Sequence, residues 1–125
     1  MRILIIEDDV FFQKFYATKI QEAGFQVDVA SDGEQGLLKA RSLKPDLIIL
    51  DMIMPKKHGF ATLVDIFKDK ELKKIPVLIF STLSQQVDVQ KGLKLGAVGY
   101  VNKTFFDFEN LKSKIEEAVK KGMSR

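Results

Sequence analysis

The sequence predicts an α/β fold in which helices cover both faces of a doubly wound, five-stranded parallel sheet. Short apolar runs alternate along the chain with segments of helical periodicity, which is typical of parallel sheets. The run Leu47–Leu50 contains no polar residue, as expected of a strand that is buried on both faces. In residues 25–29, by contrast, polar and apolar residues alternate, which is typical of a strand with one solvent-exposed face. Periodicity alone does not establish a strand order, but an edge position for strand two and central positions for strands one and three fit the order 2-1-3-4-5, which we expect.

The elements follow from apolar runs, helical spacing and breaking residues. Runs of apolar residues mark the strands, apolar residues three or four apart mark the helices, and glycine or proline separates them. The predicted strands are residues 3–6, 25–29, 47–50, 77–80 and 98–101. The predicted helices are residues 12–20, which end at Gly24, a segment from Gly33 to just before Pro45, and residues 59–68, about 85–95 and 108–119.

One glycine and the absence of linkers complete this description. Gly92 lies inside the fourth predicted helix, where glycine costs about 1 kcal/mol relative to alanine, so we expect that helix to be soft. No linker, repeat or low-complexity segment divides the sequence. We therefore expect residues 1–125 to form a single domain without an output domain.

The composition argues against several classes of protein. Cysteine is absent, so the chain has neither disulfides nor a thiolate that could bind a metal or act as a nucleophile. The apolar runs are far shorter than the roughly 20 residues that span a bilayer. Acidic residues beginning at Glu7 interrupt the N-terminal run, which is unlike a signal peptide. We therefore expect a soluble, cytoplasmic protein that does not insert into membranes.

The net charge of +3 does not by itself indicate a nucleic-acid surface. The lysines are scattered, and their densest stretch, residues 68–74, is interleaved with acids as on a solvated surface. We therefore expect no direct contact with nucleic acid. The single histidine, His58, is interpreted as a surface residue, because one histidine makes neither a catalytic triad nor a metal cluster.

Polar residues follow four of the predicted strands at their carboxyl ends. In the order 2-1-3-4-5 the switch point lies between strands one and three, and ligands bind outside the carboxyl ends of the strands at such a point. We therefore expect the functional pocket there. The strand-end residues are Glu7-Asp8 after strand one, Asp51 after strand three, Ser81-Thr82 after strand four and Asn102-Lys103 after strand five.

This pattern resembles the receiver domain of two-component response regulators, over essentially the whole chain. No single one of these features is specific to that family, but their combination in this order on the predicted strands and helices is. The resemblance implies a flavodoxin-like (βα)5 fold and a stand-alone regulator similar to those of chemotaxis. It is carried by Glu7-Asp8, Asp51 with Met54-Pro55 and Gly59 after it, Ser81, the segment Gly96-Ala97-Val98-Gly99-Tyr100, and Lys103.

The resemblance implies that Asp51 accepts a phosphoryl group from a histidine kinase or phosphotransfer protein. It also implies Mg²⁺ as cofactor, bound directly by Asp8, Asp51 and the backbone carbonyl of Ile53, with Glu7 acting largely through water. The residue types suit this chemistry. A carboxylate can form a covalent intermediate with phosphorus, and Mg²⁺ prefers oxygen ligands such as carboxylates.

The resemblance further implies a conformational switch rather than an enzyme with a separate substrate. Lys103 would pair first with Asp51 and then with a phosphoryl oxygen, and Ser81 would donate to another such oxygen. These contacts would bias Tyr100 and the face formed by helix four, strand five and helix five, which a separate effector protein would read. Formation of a homodimer on phosphorylation is left open.

Two apolar residues predict a slow loss of the phosphoryl group. In the family, the positions held here by Ile53 and Leu83 flank the path of the hydrolytic water. Neither side chain can orient water by hydrogen bonding, and positioning accounts for much of the catalysis of phosphoryl transfer. We therefore expect Ile53 and Leu83 to lengthen the lifetime of the phosphorylated state.

Several of these residues have simpler interpretations that the sequence leaves open. Asp8 could cap a helix, as we interpret Asp9 to do. Ser81 could cap the fourth helix, Lys103 could be a plain surface lysine, and Tyr100 could be a core aromatic residue.

Two other functions are also weighed. Thr104 stands where the family usually has proline, which leaves open a pseudo-receiver, an interaction module that never takes phosphate. A flavodoxin-like cofactor-binding domain would share the fold, but it needs a phosphate-binding loop rich in Gly, Ser or Thr after strand one. This chain has three acids there, so we do not favour that alternative.

Overall fold

The computed structural model describes residues 1–51, 59–81, 86–102 and 108–123. It contains one five-stranded parallel sheet in the order β2-β1-β3-β4-β5, which confirms the predicted fold class and strand order. The strands are β1 (Arg2–Ile6), β2 (Gln26–Ala30), β3 (Leu47–Leu50), β4 (Val77–Ser81) and β5 (Gly99–Asn102).

The helices alternate with these strands as predicted. Two short 3-10 turns, Leu72–Lys74 before β4 and Phe108–Asn110 before the last helix, were not predicted. The last helix therefore begins later than expected, because its first residues form a 3-10 turn, as is frequent at helix ends. The helices are α1 (Val10–Glu22), α2 (Gly33–Leu43), α3 (Gly59–Lys68), α4 (Gln86–Lys94) and α5 (Leu111–Met123).

Local signals set the ends of the first two helices. The side chain of Asp9 accepts a hydrogen bond from the backbone N–H of Phe12 at 3.2 Å, which caps α1 as interpreted from the sequence. Asp32 caps α2 in the same way, accepting from the N–H of Gln35 at 2.9 Å. Gly24 has φ +100°, a left-handed conformation that favours glycine and ends α1 where the sequence predicts.

The sheet is covered by two separate apolar layers. Alternate residues of the central strands point to opposite faces, so Ile5 and Ile49 pack with α1 and α5 while Ile6 and Leu50 pack with α2 and α3. All four side chains are buried, as the apolar runs predict. The edge strand β2 differs from a clean alternation, because its residues 27–29 are all half-buried.

Gly92 has a packing role that its helix propensity did not indicate. A Cβ atom at this position would lie 2.7 Å from Cδ1 of Ile79 and 3.4 Å from Cδ2 of Tyr100. The glycine therefore allows α4 to approach β4 and β5 closely. Whether α4 is soft stays a prediction.

Some large apolar side chains are exposed at the start of α1. Val10, Phe11 and Phe15 are 60%, 68% and 37% exposed, so phenylalanine is not confined to the core.

Among the described residues, no helix combines the length and the apolar character needed to cross a membrane.

Candidate functional site

The pairing of β1 with β3 brings two acids together. Ile6 pairs with Leu50 in the parallel register, so Glu7 and Asp51, which follow them, emerge side by side. Backbone hydrogen bonds continue beyond both strands. The N–H of Asp51 donates to the carbonyl of Ile6 at 3.0 Å, and the N–H of Glu7 donates to the carbonyl of Ala30 at 3.0 Å. The acids are thus held on rigid backbone at the predicted switch point.

Glu7, Asp8 and Asp51 form a compact acidic cluster. One carboxylate oxygen from each lies within 4.8 Å of the others. Glu7 and Asp51 are only 2% and 6% exposed, and Asp8 is half-buried. Three negative charges this close repel one another, and a hard divalent cation with a preference for oxygen ligands would relieve the repulsion. The cluster could therefore hold such a cation.

The neighbouring Asp9 has a different role. Its side chain caps α1, while its backbone N–H donates to Oε2 of Glu7 at 3.3 Å. The two adjacent acids therefore have different positions. The side chain of Asp8 lies in the acidic cluster, and the side chain of Asp9 lies at the N-terminus of α1.

Gln13 is a contact residue that the sequence analysis missed. Its Nε2 donates to the backbone carbonyl of Glu7, and it lies 3.2 Å from Oγ of Ser31 in the loop before α2. The amide thereby ties the acidic loop to the neighbouring β2–α2 loop. A polar residue on the first turn of a largely apolar helix is the signal that could have indicated it.

Ser81 and Tyr100 lie on the face of the sheet that α2 and α3 cover. Ser81 is fully buried as the last residue of β4, one residue beyond the predicted strand end. Tyr100 pairs with Ile79 in the β4–β5 register and is half-buried against the apolar layer that contains Ile79. Because residues 79 and 81 of a strand point to the same face, Ser81 and Tyr100 share that face next to Gly92.

The remaining predicted site residues lie outside the described residues. These are Ile53, Leu83 and Lys103, together with Thr104, His58 and the Met54-Pro55 pair.

Tyr16, which the sequence analysis did not single out, lies in the apolar layer that contains Ile5 and Ile49. Its side chain is 2% exposed, and its ring packs edge-on against Phe80 with a centroid separation of 5.5 Å. Burial raises the pKa of the Tyr16 phenol, and the negative charges of Glu7 and then Asp51 raise it further. The phenol therefore stays neutral beside the two carboxylates.

Comparison with known proteins identifies the family to which this arrangement is similar. The family model for the response regulator receiver domain matches residues 3–116. The DNA-binding dual master transcriptional regulator RpaA of Synechocystis sp. is 35% identical over 120 residues, which are 96% of this chain and 49% of that protein. The chain spans about half the length of the curated relatives it matches.

Solved structures have the same fold. The chemotaxis protein CheY4 of Vibrio cholerae has a TM-score of 0.86 and 28% identity, with 94% of this chain and 97% of that chain covered. The receiver domain of the sensor histidine kinase PA1611 from Pseudomonas aeruginosa, solved with a magnesium ion in its active site cleft, has a TM-score of 0.86. At 22% identity, covering 95% of this chain and 97% of that one, it is similar in fold alone. The matches confirm the resemblance found in the sequence.

Proposed function

Because the chain belongs to the response regulator receiver domain family, we propose that it accepts a phosphoryl group on Asp51. The observation that carries this proposal is the placement of Asp51. Its carboxylate lies at the end of a central strand, almost fully buried, and within 4.8 Å of the carboxylates of Glu7 and Asp8. A histidine kinase or phosphotransfer protein supplies the phosphoryl group.

The proposed step is a single displacement at phosphorus. A carboxylate oxygen of Asp51 forms a bond to phosphorus while the bond from phosphorus to the donor's imidazole nitrogen breaks, and the electron pair of that bond stays on the nitrogen. The product is an acyl phosphate. Phosphoryl transfer depends mainly on positioning and on electrostatic stabilisation, so a buried carboxylate on rigid backbone is well suited to it.

Receiver domains bind Mg²⁺ at an acidic site, and the carboxylate cluster of this chain fits that ion. We propose that Asp8, Asp51 and the backbone carbonyl of Ile53 bind Mg²⁺ directly, with Glu7 acting through water. All of these donors are oxygen atoms, as the ion requires. When bound, Mg²⁺ offsets the negative charge of the carboxylates and of the incoming phosphoryl oxygens.

The phosphoryl group then changes a protein-binding face. Lys103 and Ser81 contact phosphoryl oxygens, and the movement passes to Tyr100, which shares a sheet face with Ser81 and lies against Gly92 of α4. A separate effector protein, or a second copy of the chain, reads the face formed by α4, β5 and α5. The phosphoryl group shifts this equilibrium only as far as it binds the two states with different affinity.

An apolar surface beside the pocket is available to the phosphodonor. Val10, Phe11 and Phe15 are exposed on the first turns of α1, directly after the acidic loop, and the rings of Phe11 and Phe15 stack with a centroid separation of 6.0 Å. An exposed apolar patch of this kind often marks a protein contact. A donor that docks there brings its phosphoryl group close to Asp51.

Intact-mass spectrometry after treatment with acetyl phosphate and Mg²⁺ tests the proposal. The wild-type chain should gain the mass of one phosphoryl group, and Asp51→Asn or removal of Mg²⁺ should abolish the gain. Asp9→Asn is the matched control, because Asn also caps helices and Asp9 lies outside the cluster. A full gain in Asp51→Asn would contradict the assignment, and no gain in the wild type would favour the pseudo-receiver.

A further inference from the structure

The course of α1 directs Tyr16 towards the acidic cluster. Helix α1 begins at Val10, directly after the acids that follow β1, so its N-terminus lies at the carboxyl edge of the sheet. Side chains in a helix tilt towards its N-terminus and cover the preceding turn. Tyr16 is six residues into the helix, roughly 9 Å along the axis. Its long side chain is therefore directed back towards that edge.

Aromatic contacts hold the ring of Tyr16 in one orientation. The ring stacks on Phe12 with a centroid separation of 5.6 Å and meets Phe15 edge-on at 5.9 Å. On the sheet side it meets Phe80 at 5.5 Å with an interplanar angle of 75°. Phe80 directly precedes Ser81 at the carboxyl end of β4. These contacts hold the ring against the carboxyl-terminal end of β4.

The faces of the sheet put the two acids on the same side as this hydroxyl. Glu7 and Asp51 are two residues beyond Ile5 and Ile49, and both isoleucines pack in the apolar layer that contains Tyr16. Burial raises the pKa of the phenol, and the charges of Glu7 and Asp51 raise it further, which agrees with this placement. A neutral phenol offers one O–H donor, whereas an aliphatic residue at this position would offer none.

We propose that Tyr16 is a positioning residue of the acidic pocket, whose hydroxyl lies beneath Glu7 and Asp51 and donates its single O–H to one of these carboxylates, which orients that carboxylate for a divalent cation. This inference rests on the proposed function. Groups that hydrogen-bond to metal-ligating side chains fix their orientation, and losing such a group costs about 10–100-fold in metal affinity or activity.

Tyr16→Phe tests the proposal because it keeps the ring and its contacts and removes only the hydroxyl. We expect the dissociation constant for Mg²⁺, measured by isothermal titration calorimetry, to rise about tenfold. Ile20→Val is the matched control. It removes one methyl group from a buried residue one turn further along the same helix, away from the acids, and should leave the dissociation constant unchanged.

Tyrosine fluorescence gives a second measurement. The chain has no tryptophan and two tyrosines, so in a Tyr100→Phe background all tyrosine emission comes from Tyr16. Titration with Mg²⁺ should change this emission with the midpoint found by calorimetry. A residue that only packs in the core, remote from the cation, would show no such change.

The outcomes separate this inference from the proposed function. If Mg²⁺ binds Tyr16→Phe within twofold of the wild type, or does not bind the wild type at all, the inference is wrong. If the affinity falls in Tyr16→Phe but the wild type takes no phosphoryl group, the proposed function fails while the role of Tyr16 stands. If Asp51→Asn loses phosphorylation but Tyr16→Phe binds Mg²⁺ with the affinity of the wild type, the proposed function stands and the role of Tyr16 is wrong.

Discussion

At the scale of single residues, adjacent positions in one loop have different tasks. Asp8 contributes a carboxylate to the cluster, whereas Asp9 satisfies the free N–H of Phe12 at the start of α1. The backbone turn between β1 and α1 causes this difference, because it directs the side chain of Asp8 towards Asp51 and the side chain of Asp9 towards the start of α1. Substitutions at Asp8 and Asp9 should therefore have separable effects on cation binding and on helix stability.

The lifetime of the phosphorylated state is predicted to depend on Ile53 and Leu83. Replacing them together, Ile53→Asn with Leu83→Gln, should speed the loss of the phosphoryl group by at least about tenfold, because the new polar groups can orient a water molecule. Uptake of the group should change little. The decay of the phosphorylated form, followed by intact-mass spectrometry, measures this rate.

A matched control for this pair is Leu38→Gln, which adds an amide to an exposed position on α2. It should leave the decay rate unchanged. Rapid decay of the wild type, within seconds, or an unchanged rate in the double variant would show that Ile53 and Leu83 do not set the lifetime.

At the scale of elements, two glycines let helices approach the sheet, but the fit is tighter at one of them. A Cβ at Gly36 of α2 would meet several atoms of Ile6, among them Cγ1 at 2.8 Å and Cγ2 at 3.2 Å. These atoms are bonded to Cβ of Ile6 and cannot both move away by rotation. At Gly92 of α4 the crowding comes from the terminal Cδ1 of Ile79, which can turn aside.

We therefore predict a ranking of two substitutions. Gly36→Ala should lower the free energy of unfolding by about 1–2 kcal/mol, since overpacking exceeds the gain of about 1 kcal/mol in helix propensity. Gly92→Ala should change it by less than about 1 kcal/mol, because the two effects nearly cancel there. Urea unfolding measures both, with Gln90→Ala at an exposed position of α4 as control. An equal decrease in the free energy of unfolding in Gly36→Ala and Gly92→Ala would contradict this ranking.

At the scale of the whole molecule, the acidic cluster links cation binding to stability. An ion that binds only the folded chain stabilises it, by about 2.7 kcal/mol at a concentration 100 times the dissociation constant. Without the ion, the three carboxylates repel one another and oppose folding. The stability of the domain should therefore depend on Mg²⁺.

The prediction concerns Asp8→Asn, which removes one charge from the cluster. This variant should melt at a higher temperature than the wild type without Mg²⁺ and should gain little when Mg²⁺ is added. The wild type should gain several degrees. Thermal unfolding followed by circular dichroism measures both, and Asp9→Asn should behave as the wild type. Identical melting of the wild type with and without Mg²⁺ would rule out this coupling.

Much of the fold could be read from the sequence because its signals are local. The uninterrupted run Leu47–Leu50 indicates a central strand, and Gly24 ends α1 with a backbone conformation that favours glycine. The contrast between this run and the alternating residues 25–29 fitted the strand order that the structure has, although periodicity alone could not establish it. The acids that directly follow the apolar runs of β1 and β3 were enough to predict that Glu7, Asp8 and Asp51 come together at the carboxyl edge of the sheet.

Only the tertiary structure decided which side chains meet there. The approach of Glu7 to Asp51 depends on the register that pairs Ile6 with Leu50, and a shift of one residue would turn either side chain to the other face. The contact of Tyr16 with Phe80 and the fit of Gly92 against Tyr100 depend on how the helices pack on the sheet. Apolar periodicity identifies the face that a helix buries. It carries no information about the distances between atoms of elements far apart in the chain, because packing sets those distances.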